Sequence, residues 1–358
     1  MRSITIIITG THHTPAIELI RQLKNDTKIN WQVFYISHSY KTETHIKNSL
    51  KPLLGKNIYQ INCGKFDRNS IIKSTLGIFK TIGAIFESKK IIKKIKPDII
   101  VSFGGYISVP VIIASWITHI PSITHEQTTT ASLSTKINSF FVNQVALSFP
   151  TKFANIPKHK QTVTGNLIRQ EVFSTTTKTY SKLNQKLGSK PLIFISGGNQ
   201  GSSSINQTFL KIAKKLSQKY TIIHHTGILD YQLVKNQTKN YPDYYLSKYV
   251  GKDDIGWVLN TSSLIVNRSG ANYCQEIIAL GKKSILIPLP FSQQNEQSKN
   301  ALWVKRKLPR LTTIIDQKDL TPDKLYQAIN HLSRLKTTKN QIKPVQNNQI
   351  LDLIHTYV

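Results

Sequence analysis

Residues 191–216, PLIFISGGNQGSSSINQTFLKIAKKL, carry the pattern that sets the fold. The apolar run PLIFIS (191–196) is a buried-strand signal, and GGNQGSSS after it breaks the chain with small residues. A helix follows, with Ile205, Phe209, Ile212, Ala213 and Leu216 on one face. The same strand, small loop and helix recur along the chain. ITIIIT (4–9) leads through GTHH into TPAIELIRQLK, where Thr14 is placed to cap a helix and Pro15 to open it. IIVSF (99–103) leads through Gly104-Gly105 to an apolar helix opening near Pro110. SSLIVN (262–267) leads to RSGANYCQEIIAL with Gly281 as its stop, and SILI (284–287) makes another buried strand. Alternation of this kind predicts an α/β protein with parallel sheets covered on both faces. Its restart in the second half predicts two similar doubly wound sheets facing each other. The stretch 150–190, with Pro150, Pro157 and TTTKTYSK (175–182), contains the linker between the two domains.

Length agrees with two domains, since 358 residues exceed what one core usually serves. Hydrophobic residues at 39% and a mean hydropathy of −0.24 exclude both a disordered chain and a polytopic membrane protein. Two cysteines, Cys63 and Cys274, are too few for a disulfide framework or a metal cluster, which fits a reducing cytoplasm. Lys and Arg exceed Asp and Glu by 48 − 18 = 30, so polyanions attract the chain: nucleic acid, anionic lipid or phosphate-bearing substrates. The start MRSITIIITG reads as a strand rather than an export signal. Ile99 to Thr118 is apolar enough to raise a membrane span, but Gly104-Gly105 and Pro110 interrupt it.

Three glycine loops follow predicted strands: ITGTHHTP (8–15), ISGGNQGSSSIN (195–206) and VNRSGANYCQE (266–276). None is a dinucleotide fingerprint or a P-loop. A helix starting after such a loop offers free amides and a positive dipole end, which suits phosphate. Glu276, several residues into its helix, could accept both hydroxyls of a ribose. His12, beside a helix start, would be held neutral by the dipole and could serve as a general base, with His13 an adjacent alternative. Arg169, after a Gly-Asn turn at the presumed junction, could meet a phosphate between domains. FSQQNEQSKNA (291–301) is crowded with amides, which pair well with sugar hydroxyls. Each of these residues also has a plain structural use, as a tight turn, a solvated helix face or a hydrogen-bonded histidine.

Taken together, the loops resemble those of the MurG family, bacterial transferases that add N-acetylglucosamine to the lipid-linked muramyl-peptide precursor of peptidoglycan. TGTHHTP looks like that family's TGGHxxP, and VSFGGYISVP with THEQT like its GFGGYxSxP and HEQN. VTGNLIR is similar to GNPxR, ISGGNQGSSSIN to GGSQGAxxxN, NRSGANYCQE to the R-[AS]-G-A-x-T-x-x-E signature, and PLPFSQQNEQSKNA to the segment ending in Q-x-x-N-A. These matches run in order from Thr9 to Ala301. Departures are Thr11 for a glycine, Thr128 for an asparagine, Asn199 for a serine, Val109 for a common glycine, Leu167 for a proline, and Glu296 for a histidine or glutamine.

The resemblance implies a GT-B glycosyltransferase fold, two Rossmann-like doubly wound parallel-sheet domains facing a cleft. It places an acceptor- and membrane-facing domain at 1–165, a UDP-sugar donor domain at 166–344, and a last helix at 345–358 packed back on the first through Ile350, Leu351, Leu353 and Ile354. It implies inverting transfer from UDP-N-acetylglucosamine to undecaprenyl-diphosphate-linked N-acetylmuramyl-pentapeptide. His12 is the candidate base. Gly10, His12, Gly104, Gly105, Tyr106, His125 and Glu126 would meet the acceptor. The donor would meet Thr9, Gly10, Thr11, Thr128, Arg169, Asn199, Gln200, Lys252 in the uracil-side YVGKDDI (249–255), Gly270, Ala271, Asn272, Tyr273, Cys274, Gln275, Glu276, Glu296, Gln297 and Asn300.

No cofactor is implied. No Asp-x-Asp motif lies in these loops, and helix starts with Arg169 could steady a leaving diphosphate without a metal. A lipid acceptor requires contact with a membrane without spanning it. Ile72, Leu76, Phe79, Ile82 and Phe86 stand among Lys89, Lys90 and other lysines at 65–96, a pattern for insertion and attraction to anionic inner-membrane lipid. A core-facing apolar stripe with solvated lysines gives the same sequence. The expected location is peripheral, on the cytoplasmic face of the bacterial plasma membrane, with cell-wall synthesis proteins as further partners. Competing readings are a transferase with another lipid acceptor such as diacylglycerol, a non-catalytic nucleotide-sugar or membrane scaffold, and a nucleic-acid binder. The last lacks any recognisable motif beyond charge, and nucleic acid is not an expected partner.

Overall fold

A computed structural model of the chain describes residues 2–38, 44–64, 71–186, 190–198, 200–336 and 349–358. Two compact units result: Met1–Arg169 with Gln346–Val358, and Gln170–Val345. The division falls after Arg169.

Unit 1 holds a sheet of seven parallel strands, β1 (Arg2–Thr9), β2 (Ile29–His38), β3 (Ile58–Ile61), β4 (Ile99–Ser102), β5 (Ser122–Glu126), β6 (Gln144–Leu147) and β7 (Gln161–Val163), in the order β3-β2-β1-β4-β5-β6-β7. Between them run α1 (His13–Asn25), α2 (Thr44–Leu54), α3 (Ile71–Ile95), α4 (Ser108–Ile117) and α5 (Leu133–Phe141). The isoleucines of β1 bury on both faces of the sheet, Ile4, Ile6 and Ile8 in one cluster and Ile7 in the other, as a strand covered twice requires.

Unit 2 holds six parallel strands, β8 (Leu192–Ser196), β9 (Thr221–His225), β10 (Tyr244–Ser247), β11 (Ser262–Asn267), β12 (Ser284–Leu286) and β13 (Thr312–Ile314), in the order β10-β9-β8-β11-β12-β13. Its helices are α6 (Ser181–Lys186), α7 (Ser203–Ser217), α8 (Tyr231–Thr238), α9 (Lys252–Thr261), α10 (Ala271–Leu280), α11 (Glu296–Lys307) and α12 (Pro322–Arg334). The five apolar positions read on α7 are all buried. Gly281 ends α10 with φ 59° and ψ 38°, the left-handed turn that glycine adopts without strain.

The chain then returns to unit 1. Helix α13 (Gln349–His355) buries Ile350 and Ile354 in the unit-1 core and packs Leu351 and Leu353 against it. His355 stacks on Trp31 at 5.9 Å and lies 3.2 Å from the Asp26 carboxylate.

Two expectations change. Helix α1 begins before Pro15: His12 is its N-cap and Thr14 lies within the first turn. The stretch 150–190 does contain the passage between the units, after Arg169, but much of it is built into them. Residues 161–163 complete the unit-1 sheet, and 177–179 are fastened to unit 2. The fastening is the buried Asp254 carboxylate, which accepts from the Thr177 hydroxyl at 2.6 Å, the Thr179 hydroxyl at 2.5 Å and the amides of Lys178 and Thr179 at 2.9 Å each. Burial pushes this carboxyl up, and the hydroxyl and amide donors outweigh it, leaving the group below its ordinary value.

Asp254→Ala should therefore destabilise the protein by about 2–4 kcal/mol, seen as a lower urea midpoint. A depressed folded pKa stabilises fully above the unfolded carboxyl value and loses that stabilisation as pH falls through the folded one. The gap between wild type and variant should thus be full near neutrality and shrink below about pH 4. Equal midpoints at pH 7 would show that the clamp contributes nothing.

Candidate functional site

In an open parallel sheet the strand order reverses at one point, and the loops leaving the strands there part to either side and open a crevice. In unit 1 that point lies between β1 and β4, in unit 2 between β8 and β11. The glycine loops read from the sequence sit at these two places.

At the unit-1 point the loops 10–12 and 103–106 touch. Thr11 donates its amide to the Gly104 carbonyl at 3.0 Å. Gly105, at φ 77°, leaves no room for a side chain: a Cβ there would lie 2.0 Å from the Thr11 hydroxyl. Thr11, the departure from a second glycine, thus fills the space that Gly105 vacates. A polar lattice supports the second loop from below. Gly104 N–H reaches Ser102 Oγ at 3.1 Å, Gly105 N–H reaches Ser134 Oγ at 3.0 Å, and the buried Asn138 donates to Ser108 Oγ at 2.8 Å and Thr124 Oγ1 at 3.3 Å.

His12 lies half-buried over this loop; a Cβ on Gly104 would sit 3.8 Å from its Nε2. Burial lowers its pKa, and the Glu126 carboxylate pulls the other way. Desolvation favours a neutral imidazole, able to take up a proton beside a carboxylate. His13 is held elsewhere. The Tyr35 hydroxyl donates to the Gly10 carbonyl at 3.0 Å and so accepts from His13 Nδ1, also at 3.0 Å, which makes His13 a strut. Burial, with His12 nearby, holds it at about 4.

Glu126 orders the HEQT turn by accepting from the Thr128 amide and hydroxyl at 3.0 Å each and from the Ser132 amide at 2.9 Å. The Thr128 side chain is thereby turned into its own loop, also 2.6 Å from the Thr130 carbonyl, and is not presented to a donor. Buried His125 approaches the Gly165 carbonyl at 3.1 Å and Ser148 Oγ at 3.2 Å through Nε2, and burial brings it to about 4. Thr9, expected to meet the donor, is buried in the sheet with its hydroxyl on the Ile36 carbonyl at 3.0 Å. Tyr106 stands beside this loop, edge-on to His38 at 5.5 Å.

At the unit-2 point, Gly201 and Gly227 let two backbones meet. A Cβ on Gly201 would lie 2.0 Å from the Thr226 carbonyl oxygen, and one on Gly227 2.2 Å from that of Gln200. Gln200 is exposed on this loop, and Asn199 lies outside the described residues. Helix α10 starts at its N-cap Gly270, which has no side chain to cap it, and Ala271, Asn272 and Tyr273 are part-exposed. Gln275 and Glu276 are buried. Cys274 is wholly buried, and burial, with Glu276 nearby, pushes its thiol far up, so its side chain is core rather than a donor contact. Asn300 is also fully buried; it donates to the Ser269 carbonyl at 3.2 Å and so holds α11 to the loop before α10. Gln297 is part-exposed, with Oε1 accepting from the Leu289 amide at 3.1 Å, and Glu296 opens α11 beside it. Lys252 is exposed at the first position of α9. Arg169 ends unit 1, part-exposed.

Two unit-2 residues carry the loops and had no role in the sequence reading. Asn206 donates to the Thr226 carbonyl at 2.9 Å and to Asp230 at 2.7 Å, and lies 2.9 Å from His224 Nε2. Arg268 reaches three loops at once, as described below. Both stand inside the motifs quoted above, so the signal was an interior polar residue directly flanking a glycine loop.

On α3, Phe79 is 68% exposed, Phe86 62% and Ile82 46%, with Ile78 at 53%, and Lys90 and Lys93 are exposed next to them. The side chains of Ile72 and Leu76 lie outside the described residues. Lys89 is part-exposed. Among the described residues no helix is long and apolar enough to cross a membrane, and no group of three His, Cys, Asp or Glu could hold a metal ion.

Known proteins share this arrangement. Residues 4–147 match the glycosyltransferase family 28 N-terminal domain and residues 192–357 its C-terminal domain. A Clostridium tetani UDP-N-acetylglucosamine–N-acetylmuramyl-(pentapeptide) pyrophosphoryl-undecaprenol N-acetylglucosamine transferase is 31% identical, covering 98% of each chain. A Clostridium novyi protein of the same name is 32% identical over 100% of this chain and 99% of its own. The chain belongs to the MurG family. It is a glycosyltransferase. The Acinetobacter baumannii MurG crystal structure superposes with a TM-score of 0.71 over 99% of this chain and 100% of that one at 19% identity, which shows the shared two-sheet GT-B fold. A Neisseria meningitidis UDP-GlcNAc 2-epimerase bound to UDP-GlcNAc has the same fold at a TM-score of 0.65 and 13% identity, covering 99% of this chain and 98% of that one.

Because Glu126 raises the His12 pKa against burial, Glu126→Gln should make His12 titrate at lower pH in an NMR pH series. An unchanged or higher value would remove the electrostatic link between the two.

Proposed function

We propose that this glycosyltransferase moves N-acetylglucosamine, with inversion, from UDP-N-acetylglucosamine to undecaprenyl-diphosphate-linked N-acetylmuramyl-pentapeptide. The observation that carries the reading is identity of 31–32% over essentially the whole chain to transferases bearing that name. The positions of four matching motifs support it, since TGTHHTP, SFGGYISVP, ISGGNQGSSSIN and NRSGANYCQE leave the strands β1, β4, β8 and β11 that flank the two switch points.

In this reading the acceptor hydroxyl oxygen bonds to the anomeric carbon while the bond to the UDP phosphate oxygen breaks, and the hydroxyl proton passes to His12 Nε2. A neutral histidine suits that step, and the Glu126 carboxylate favours the imidazolium that forms. The unit-1 loops with Gly10, Gly104, Gly105, Tyr106 and His125 receive the acceptor. On the donor side, Gln200, Arg169, the start of α10 at Gly270–Tyr273, Glu276, Lys252, Glu296 and Gln297 take the nucleotide and sugar, with helix amides steadying the departing diphosphate. The exposed Phe79, Ile82 and Phe86 with their flanking lysines rest on anionic lipid at the cytoplasmic membrane face, where the carrier lipid is anchored.

Incubation with labelled UDP-N-acetylglucosamine and the undecaprenyl-linked muramyl-pentapeptide, followed by lipid extraction, should yield a labelled lipid. Label appearing only on diacylglycerol, or on no lipid, contradicts the acceptor assignment. His12→Ala should lower turnover by about 10²–10⁴-fold while UDP affinity stays within about twofold; comparable loss of both removes the base assignment. In flotation the chain should bind anionic vesicles more than neutral ones, and Phe79→Ser with Phe86→Ser should abolish binding. Equal binding to both vesicle types refutes the electrostatic part.

A further inference from the structure

Arg268 is 8% exposed and lies at the unit-2 switch point, just after β11. Its Nη1 donates to the carbonyls of Ile287 and Pro288 at 3.1 Å each. Its Nη2 lies 2.7 Å from Ser202 Oγ, 2.9 Å from Ser204 Oγ and 2.5 Å from Gln317 Oε1. Every one of these acceptors is neutral, and among the described residues no carboxylate pairs with the guanidinium. Ser202 is the N-cap of α7, and Gly270, two residues along from Arg268, is the N-cap of α10. A buried cation thus stands at the positive end of α7, two residues before the N-cap of α10 in the chain, and among the described residues no carboxylate pairs with it. That arrangement is unfavourable in isolation and is relieved when an anion settles on the helix starts.

We propose that Arg268 is a positioning residue with an electrostatic role, its buried charge held at the start of α7 and selecting the charged diphosphate of the donor without touching it. The proposal rests on the donor reading above. It separates two tasks at this site: exposed groups recognise the nucleoside and sugar, and the buried guanidinium sets the affinity for the phosphates and for the charge that builds on them as the sugar departs. A guanidinium fixed on several sides needs no reorganisation when that charge develops.

The test compares UDP with uridine by calorimetry on the full chain. Arg268→Gln removes the charge and keeps some hydrogen bonds; it should weaken UDP by about tenfold or more and leave uridine within about twofold. Arg268→Lys keeps the charge and loses the fork; it should hold the ratio of UDP to uridine affinity within about threefold of wild type even if its thermal midpoint falls. Equal weakening of UDP and uridine in Arg268→Gln, or collapse of the ratio in Arg268→Lys, would overturn the proposal and leave a scaffold role. Should Arg268→Gln fail to fold, the ratio in Arg268→Lys decides alone. A wild-type chain that binds neither UDP nor uridine would overturn the donor reading itself, whereas wild-type binding with an unselective Arg268→Gln overturns the electrostatic role only.

Discussion

Every strand in each sheet ends on the same edge, and that geometry constrains everything else. The loops leaving the edge must be short, must turn sharply, and must find partners for their backbone polar groups without closing the crevice. This protein meets the requirement with buried polar side chains placed beneath the loops. In unit 1 the task falls to Ser102, Ser134, Asn138 and Glu126. In unit 2 it falls to Asn206, Arg268 and Asn300. Residues that resemble ligand contacts in a motif are in several cases the supports of those contacts.

The difference between the two supports follows the chemistry each unit is proposed to perform. Beneath the unit-1 loop lie neutral hydroxyls, an amide and one carboxylate, and burial leaves His12 able to receive a proton. Beneath the unit-2 loop lies a cation. A proton acceptor is favoured by the first environment and a departing diphosphate by the second. In the proposed function the same βα repeat would serve opposite ends of one displacement through a few buried side chains.

Much of this was legible in the sequence. Period and punctuation located β1, β4, β8 and β11 to within a residue or two, because buried parallel strands are continuous apolar runs and glycines mark their exits. The glycine loops led to both switch points. Less legible was which atoms face a ligand. Thr9, Thr128 and Cys274 sit inside motifs yet turn into the fold, and spacing along a helix does not say which face a neighbouring loop covers. The stretch 175–182 looked like a linker because Thr and Lys are poor core formers; its partner, Asp254, lies more than seventy residues away, beyond local pattern. The burial that lowers the His12 pKa was not legible either, since desolvation depends on packing that no local window records.

The central claim, that the loops after β8 and β11 hold a diphosphate through the starts of α7 and α10, is tested most directly by amide hydrogen exchange with and without UDP. Slowed exchange confined to the segments 197–204 and 268–274 and their immediate neighbours is the predicted result. Unchanged exchange there, with protection appearing instead at the opposite, amino-terminal edge of the unit-2 sheet, would contradict it.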